Sequence, residues 1–152
     1  MKMGDNQTDI CDKEVKSLLE KGAIEPVNDS SIGFISGLFV IPKRSGGFWP
    51  IVNLKGLNKF IKTERFKMEG VGTLQEIIRP NDFFVKMDLK DAYLTVPIHP
   101  KDRRFLRTFW EGVLYQFRCL PFGLSPVPWL FTKIVKTNCD LFKETRPSFL
   151  FI

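Results

Sequence analysis

The sequence is poor in the residues from which most small functional sites are built. It has one histidine, His99, so a multi-histidine metal centre cannot form within this chain. Cysteine is scarce too: Cys11, Cys119 and Cys139 are odd in number and widely spaced, matching neither a disulfide framework nor a zinc pattern. That usage fits a reducing, intracellular compartment, cytoplasmic or nuclear. Long apolar runs are missing. The best, "GFISGLFVI", has nine residues including two glycines, against the roughly 20 that a membrane-spanning helix needs. The polar start "MKMGDNQTDICDK" lacks the apolar core of a secretory signal, so no membrane partner is expected. There is no internal repeat and no low-complexity segment.

What is present suffices for a folded core. The 152 residues are 43% hydrophobic, which fits one domain or a piece of a larger one and excludes a disordered tail. Aromatic residues are lopsided, with 15 Phe against 2 Tyr and 3 Trp, and many Phe sit in strand-like runs that suggest core or a broad contact face. The net charge of +6 is compatible with a polyanionic partner. It is dispersed, with its densest clusters at Lys43–Arg44 and from Lys101 to Arg107.

Periodicity predicts an amphipathic helix over residues 9–21, with Val15, Leu18 and Leu19 on one face, Asp9 or Asp12 as cap and Gly22 as stop. Residues 23–36 are turn-rich. "GLFVIPKRSGGFWPIV" predicts a hairpin with a basic Gly-Gly tip, and "LKGLNKFIK" an irregular or short helical return. Thr73 and Glu76 form a capping box for a short helix ending at Arg79. A strand over 83–88, a turn and "YLTVPI" follow. "RRFLRTFW" and "VLYQFRCL" predict a second hairpin turning at Glu111–Gly112. Ser125 as N-cap and Pro126 at the first helical position predict a helix to about Cys139, burying Leu130, Ile134 and Val135. The chain then ends inside a strand-like "PSFLFI".

The segment "FFVKMDLKDAYLTVPI" stops an apolar run on Asp88 and continues into Asp91 and Tyr93. One reading is structural: Asp88 caps a helical turn and Asp91 favours its dipole. The other makes Asp88 a divalent-cation ligand at a strand end, with the following backbone N–H groups facing a phosphate chain. For "PKRSGG", a solvated basic tip stands beside a phosphate contact through Lys43 and Arg44. In "LPFGLSP", a strand-to-helix corner stands beside a glycine that lets something flat approach the backbone. His99, Cys119 and the aromatics at 105, 109, 110, 115, 117 and 122 are assigned to packing.

Taken in order, these segments resemble the fingers and palm of a reverse transcriptase. "LFVIPKRSGGFWPIVNLKGLNK" is similar to the first fingers hairpin of that family, "FFVKMDLKDAYLTVPI" to its motif A, and "YQFRCLPFGLSPVPWLFTKIVK" to its motif B. The wording is nearest to retrotransposon enzymes of the tyrosine-recombinase (DIRS-like) group, with other LTR-type elements next. The resemblance implies an α+β, partial fingers–palm fold, with a leader and helix over 1–22 and an incomplete reverse transcriptase domain over 23–152. It implies that Asp88 is the first aspartate of a two-metal Mg²⁺ site. Asp91 and Ala92 would then offer backbone amides to the triphosphate of a dNTP, and Tyr93 would lie under the sugar as the gate against a 2′-hydroxyl. Lys43 would contact phosphate, and Phe122 and Gly123 would line the nucleotide pocket. Arg44, Lys101, Arg103 and Arg104 are weaker candidates for holding an RNA/DNA template–primer.

Such enzymes also need a Tyr-x-Asp-Asp hairpin, which does not occur in this sequence. The fragment is therefore expected to be inactive alone, its remaining palm, its thumb and any ribonuclease H or recombinase domain belonging to a parent polyprotein. A non-enzymatic nucleic-acid-binding remnant, or a decayed fragment without function, is the alternative. Trp49 and Trp129 stand where the family usually has arginine. Tryptophan keeps stacking but loses the guanidinium fork. One base transition converts an arginine codon to tryptophan, so two such changes fit an element copy accumulating damage. Tryptophan at both positions in sibling copies would refute that explanation.

Overall fold

The chain, in a computed structural model, is described at residues 5–28, 31–42, 44, 48–66, 72, 80 and 88–145. It divides into two units, Met1–Lys62 with Asp91–Val127 and Thr63–Lys90 with Pro128–Ile152.

In the first unit, helix α1 (Asp5–Glu20) starts a turn before the expected position, so Asp9 and Asp12 are interior residues rather than caps. Its inward face is Cys11, Val15 and Leu18, spaced i, i+4, i+7 and buried, whereas Leu19 faces out. The C-terminus follows the Gly22 expectation. Gly22 adopts φ 66°, its N–H donates to the Leu19 carbonyl at 2.9 Å, and the Ala23 N–H donates to Leu18 at 2.9 Å. This is a Schellman closure, which satisfies carbonyls that a helix end otherwise leaves open. The reversed chain then enters β1 (Ile24–Pro26).

Two sheets follow. β3 (Leu38–Pro42) and β4 (Phe48–Val52) form the expected hairpin, with Leu38 opposite Val52 and Pro42 opposite Phe48. Helix α1 packs on this hairpin and on β1. The larger sheet has the order β1, β6 (Val113–Phe117), β5 (Arg107–Trp110), β2 (Ile35–Ser36), antiparallel except for the parallel β2–β5 pair. Strands β1 and β2 lie in the stretch expected to be turn-rich, where no strand is predicted. They exist because partners far along the chain complete them, and a strand of two or three residues leaves no periodicity to detect. Trp110 donates its indole N–H to Asp12 at 2.7 Å, joining α1 to the sheet.

Helix α2 (Lys55–Asn58) is the short return expected after the hairpin. "YLTVPI" departs from expectation. Ala92–Thr95 form a 3-10 helix, and only Pro97 pairs in extended fashion, opposite Cys119. Cys119 is buried as expected, and burial is the main cause that pushes its thiol pKa up. His99 is exposed, its Nδ1 accepting the Lys101 N–H at 3.3 Å, so it is a turn residue and not a packed one. Of the aromatics assigned to packing, Phe117 is buried, while Phe105, Phe109 and Phe122 are exposed. Phe109 sits on the outer face of β5, whereas Phe105 ends a 3-10 turn and Phe122 lies in a turn, where no strand alternation applies.

Helix α3 (Val127–Thr145) begins after a turn at Ser125 and Pro126 and runs past the expected end at Cys139. Leu130, Ile134 and Val135 are half-buried. Thr132, Thr137 and Asn138 each return a side-chain hydrogen bond to the carbonyl four residues back. Among the described residues no helix is long and apolar enough to cross a membrane. The capping box at Thr73 and Glu76, the strand expected over 83–87 and "PSFLFI" lie outside the described residues.

The β5–β6 turn places Glu111 at φ 44° and Gly112 at φ 79°, the paired left-handed geometry that matches strand twist in a two-residue hairpin. Glycine adopts it freely, whereas a non-glycine residue there costs on the order of 1 kcal/mol or more. Glu111→Asn, a residue that tolerates this region better, is expected to raise stability by about 0.5–1 kcal/mol. Urea unfolding midpoints measure it, and an unchanged or lowered midpoint would contradict the turn geometry.

Candidate functional site

In the first unit the chain makes a tight corner at Asp91. This residue has φ 54° and ψ 32°, left-handed values uncommon for a side-chain-bearing residue, and its carboxylate meets the Lys21 ammonium at 3.0 Å. Both partners are partly exposed, so the ion pair adds little stability and serves mainly to orient. Leu94 N–H donates to the Asp91 carbonyl at 2.8 Å, and Thr95 Oγ1 donates to Ala92 at 2.7 Å, closing the 3-10 turn. Asp91 makes no side-chain capping bond. Among the described residues the Ala92 N–H has no acceptor, as expected for the first N–H of a helical turn.

A second corner lies at residues 120–125. Leu120, Pro121 and Leu124 are buried, and the Phe122 between them is 52% exposed. The anchors therefore hold Phe122 out of the core. Its ring meets that of Tyr93, with centroids 5.2 Å apart and planes tilted by 49°, a favoured aromatic arrangement. Gly123 has φ 90°, and a Cβ placed there would meet nothing within 4 Å. The backbone is open on that side, and glycine is required by conformation rather than by crowding.

Asn58, at the end of α2, holds this corner. Its Nδ2 donates to the Gly123 carbonyl at 2.9 Å, and its Oδ1 accepts the Ser125 N–H at 2.9 Å. The sequence reading passed over Asn58. An asparagine ending a short helix looks like a local cap, and its partners lie 65 and 67 residues away.

The structure thus brings Asp91, Ala92, Tyr93, Phe122 and Gly123 into one unit, with Tyr93 and Phe122 in ring contact. Asp88 belongs to the other unit. It is exposed, lies outside any helix or strand and makes no hydrogen bond or ion pair to another described residue, so it does not act as a helix cap. Lys43 lies outside the described residues, and Arg44 is exposed in the hairpin turn. Lys101 and Arg104 are exposed. Arg103 is engaged within the fold, donating to Glu25 at 3.2 Å and to the Ile98 carbonyl at 3.1 Å.

The sequence profile of the family described as "Reverse transcriptase (RNA-dependent DNA polymerase)" matches residues 41–149, which include both corners. The chain belongs to the reverse transcriptase family. It is 28% identical over 141 residues to the Pol polyprotein of equine infectious anemia virus (strain Wyoming), covering 88% of this chain and 12% of that one. It is 26% identical over 133 residues to the transposon Tf2-3 polyprotein of Schizosaccharomyces pombe, covering 88% and 10%. The native protease–reverse transcriptase of prototype foamy virus superposes with a TM-score of 0.70 at 22% identity, covering 96% of this chain and 19% of that chain. The foamy viral enzyme in complex with double-stranded DNA gives 0.69 at 17% identity, covering 89% and 28%. The fold is that of reverse transcriptase fingers and palm, as the sequence motifs imply. The chain spans about an eighth or less of the curated relatives it matches.

A reverse transcriptase fold implies a divalent cation. Among the described residues no three His, Cys, Asp or Glu side chains gather into a cage. Asp88, an exposed carboxylate, suits a hard cation held by oxygen, and fits as one ligand of a site that needs others.

Two outcomes follow from this geometry. Asn58→Ala removes two long-range hydrogen bonds and should cost about 1–3 kcal/mol in urea unfolding. Asn58→Asp keeps the acceptor for Ser125 and loses the donor for Gly123, so it should be only partly destabilising; equal loss in both variants would show that the two bonds are not separately used. The second outcome concerns Glu25. Its carboxyl is held below its ordinary 4.5 chiefly by the Gln116 hydrogen bond; burial, the next largest effect, opposes this, and Arg103 and Arg118 add to the lowering. A lowered folded-state value stabilises the native state above the unfolded value, and that contribution disappears as pH falls through the folded value. Stability should therefore decline as pH drops below about 4.5, and Glu25→Gln should flatten the decline. Urea titrations on either side of that pH measure it.

Proposed function

We infer that this chain supplies the fingers and part of the palm of an RNA-directed DNA polymerase. The observation that carries the reading is the Tyr93–Phe122 pair beside the open, left-handed Gly123, inside the segment matched to the family. An incoming deoxynucleotide would lay its sugar on Tyr93, whose ring bulk disfavours a 2′-hydroxyl, and its flat faces against Phe122 and the Gly123 backbone. Asp91 and Ala92 would turn backbone amides toward the triphosphate, and Lys43 would contact phosphate. Asp88 would hold Mg²⁺ as one ligand of the site. Divalent cations, when bound, would supply charge stabilisation for transfer of the nucleotide to a primer 3′-hydroxyl. The chain's own residues contribute positioning, fixing sugar and phosphates so that the reacting atoms are aligned.

The partners are dNTPs and an RNA/DNA template–primer. Support for a duplex partner comes from the foamy viral enzyme, whose solved complexes hold double-stranded DNA. Arg44, Lys101 and Arg104, all exposed, would add backbone contacts. Asp88 would be the one motif A carboxylate on the metal, and one carboxylate cannot hold two cations.

The isolated chain is therefore expected to yield no template-dependent product in primer extension with Mg²⁺ and dNTPs; any such product would overturn the inactivity. Nucleotide binding tests the site separately. Fluorescent dATP should bind in Mg²⁺, Asp88→Asn should remove the Mg²⁺ dependence, and Tyr93→Ala should narrow the preference of dATP over ATP by about tenfold. Binding indifferent to both substitutions would remove the polymerase reading of these residues.

A further inference from the structure

The larger sheet carries a second feature, in the first unit and separate from Tyr93 and Phe122. A cleft of about 380 Å³ opens between Ser31, Pro100, Lys101, Arg104, Arg107 and Gln116. Three of these six lining residues are cations and none is an acid. Its floor comes from the strand register. Glu25, Gln116, Arg107 and Ile35 are successive partners across the four strands, so they form one row on one face.

Arg107 is only 3% exposed. Its guanidinium is fixed by donating to the Ser31 carbonyl at 2.9 Å and to Ser31 Oγ at 3.2 Å. The 31–34 segment that supplies these acceptors can lie so close because residue 33 is glycine; a Cβ there would overlap the Arg104 carbonyl oxygen. The same carbonyl accepts the Phe34 N–H at 3.0 Å, and the Arg107 N–H returns a bond to the Phe34 carbonyl at 3.2 Å. Arg104 is thereby fixed through its backbone, and its guanidinium lies 4.8 Å from the Phe105 ring centroid.

The carboxylate in the row is turned to other partners. Glu25 accepts from Gln116 at 2.8 Å and pairs with Arg103 at 3.2 Å and Arg118 at 3.6 Å. Arg103 is thus drawn away from the cleft, while Lys101, Arg104 and Arg107 converge on it. Three like charges around one cavity raise the local positive potential. A buried, oriented guanidinium is suited to tetrahedral oxyanions, which it meets with paired N–H donors. The volume is at the small end of ligand pockets and holds a phosphate with an attached sugar.

We propose that this cleft is a phosphate seat, with Arg107 as its fixed floor and Lys101 and Arg104 as its exposed rim. The inference deepens the proposed backbone contacts of Lys101 and Arg104, and its test is separable from the polymerase site because it uses neither Asp88 nor a cation. The phosphate can belong to a nucleic-acid backbone or be free, and the test separates these sources.

Lys101→Ala/Arg104→Ala changes only exposed rim residues and leaves the structural Arg107 in place. Lys13→Ala/Lys16→Ala removes the same charge from the exposed side of α1 and serves as control. Binding of a single-stranded oligonucleotide is followed by anisotropy across salt, and stabilisation by inorganic pyrophosphate by thermal shift. The rim variant should lose about tenfold in oligonucleotide affinity, and its logarithmic salt slope should fall by about 1.4, the value for two phosphate contacts on a single strand. The control should hold both within twofold. Selective loss of oligonucleotide binding upholds a backbone phosphate, and selective loss of the pyrophosphate effect alone upholds a free one. Equal behaviour of rim variant and control in both assays would overturn the seat.

Discussion

The candidate site depends on one asparagine. Asn58 fixes both a carbonyl and an N–H of the 120–125 corner, and so sets the conformation in which Gly123 turns left-handed and Phe122 projects. A corner of this kind has no regular hydrogen-bond ladder of its own. Its polar backbone groups need partners from elsewhere, and an amide side chain can serve one donor and one acceptor at once. Because α2 directly follows the β3–β4 hairpin, the same side chain carries the placement of the fingers strands to the segment that meets Tyr93. The ring contact thus rests on a polar constraint together with the buried anchors Leu120, Pro121 and Leu124, and this explains how Phe122 can remain half in water.

The parts of the fold legible in the sequence are those whose cause is local. Gly22 announces a left-handed helix stop by its identity, and Glu111–Gly112 announces a hairpin by its length. The three ordered motifs identified the family because each combines rare residue types at fixed spacing. What the sequence hid is non-local. β1 and β2 are strands only because β6 and β5 pair with them. The Ala92–Thr95 segment has strand-like residues, yet the left-handed Asp91 ahead of it turns the chain into a 3-10 helix. The exposed Phe109 shows the same limit, since side-chain hydrophobicity fixes a preference but the register decides which face meets water.

Charge placement in the sheet follows a similar logic. Arg107 and Glu25 occupy one row but are separated by Gln116, which bonds to the acid. Had the two charges been adjacent, they would have neutralised each other. The intervening amide lets Glu25 take Arg103 and Arg118 and leaves Arg107 to bind the 31–34 segment. A net charge dispersed along the sequence is therefore sorted in space into a compensated cluster and a cationic cleft.

The tryptophan at 129 is open to the same kind of reasoning. Loss of an arginine at this position of the motif B helix would remove a positive charge from the helix surface. In the structure the Lys133 ammonium, one turn further on, lies 4.4 Å from the Trp129 ring centroid. Residues four apart on a helix face each other, and a cation over an indole is held by the ring quadrupole. The pair retains both a flat stacking surface and a positive charge on that turn, though without the forked donors of a guanidinium. The physical consequence of tryptophan here is therefore narrower than the loss of an arginine suggests: bidentate recognition of an anion is gone, while stacking and charge survive on two side chains in place of one.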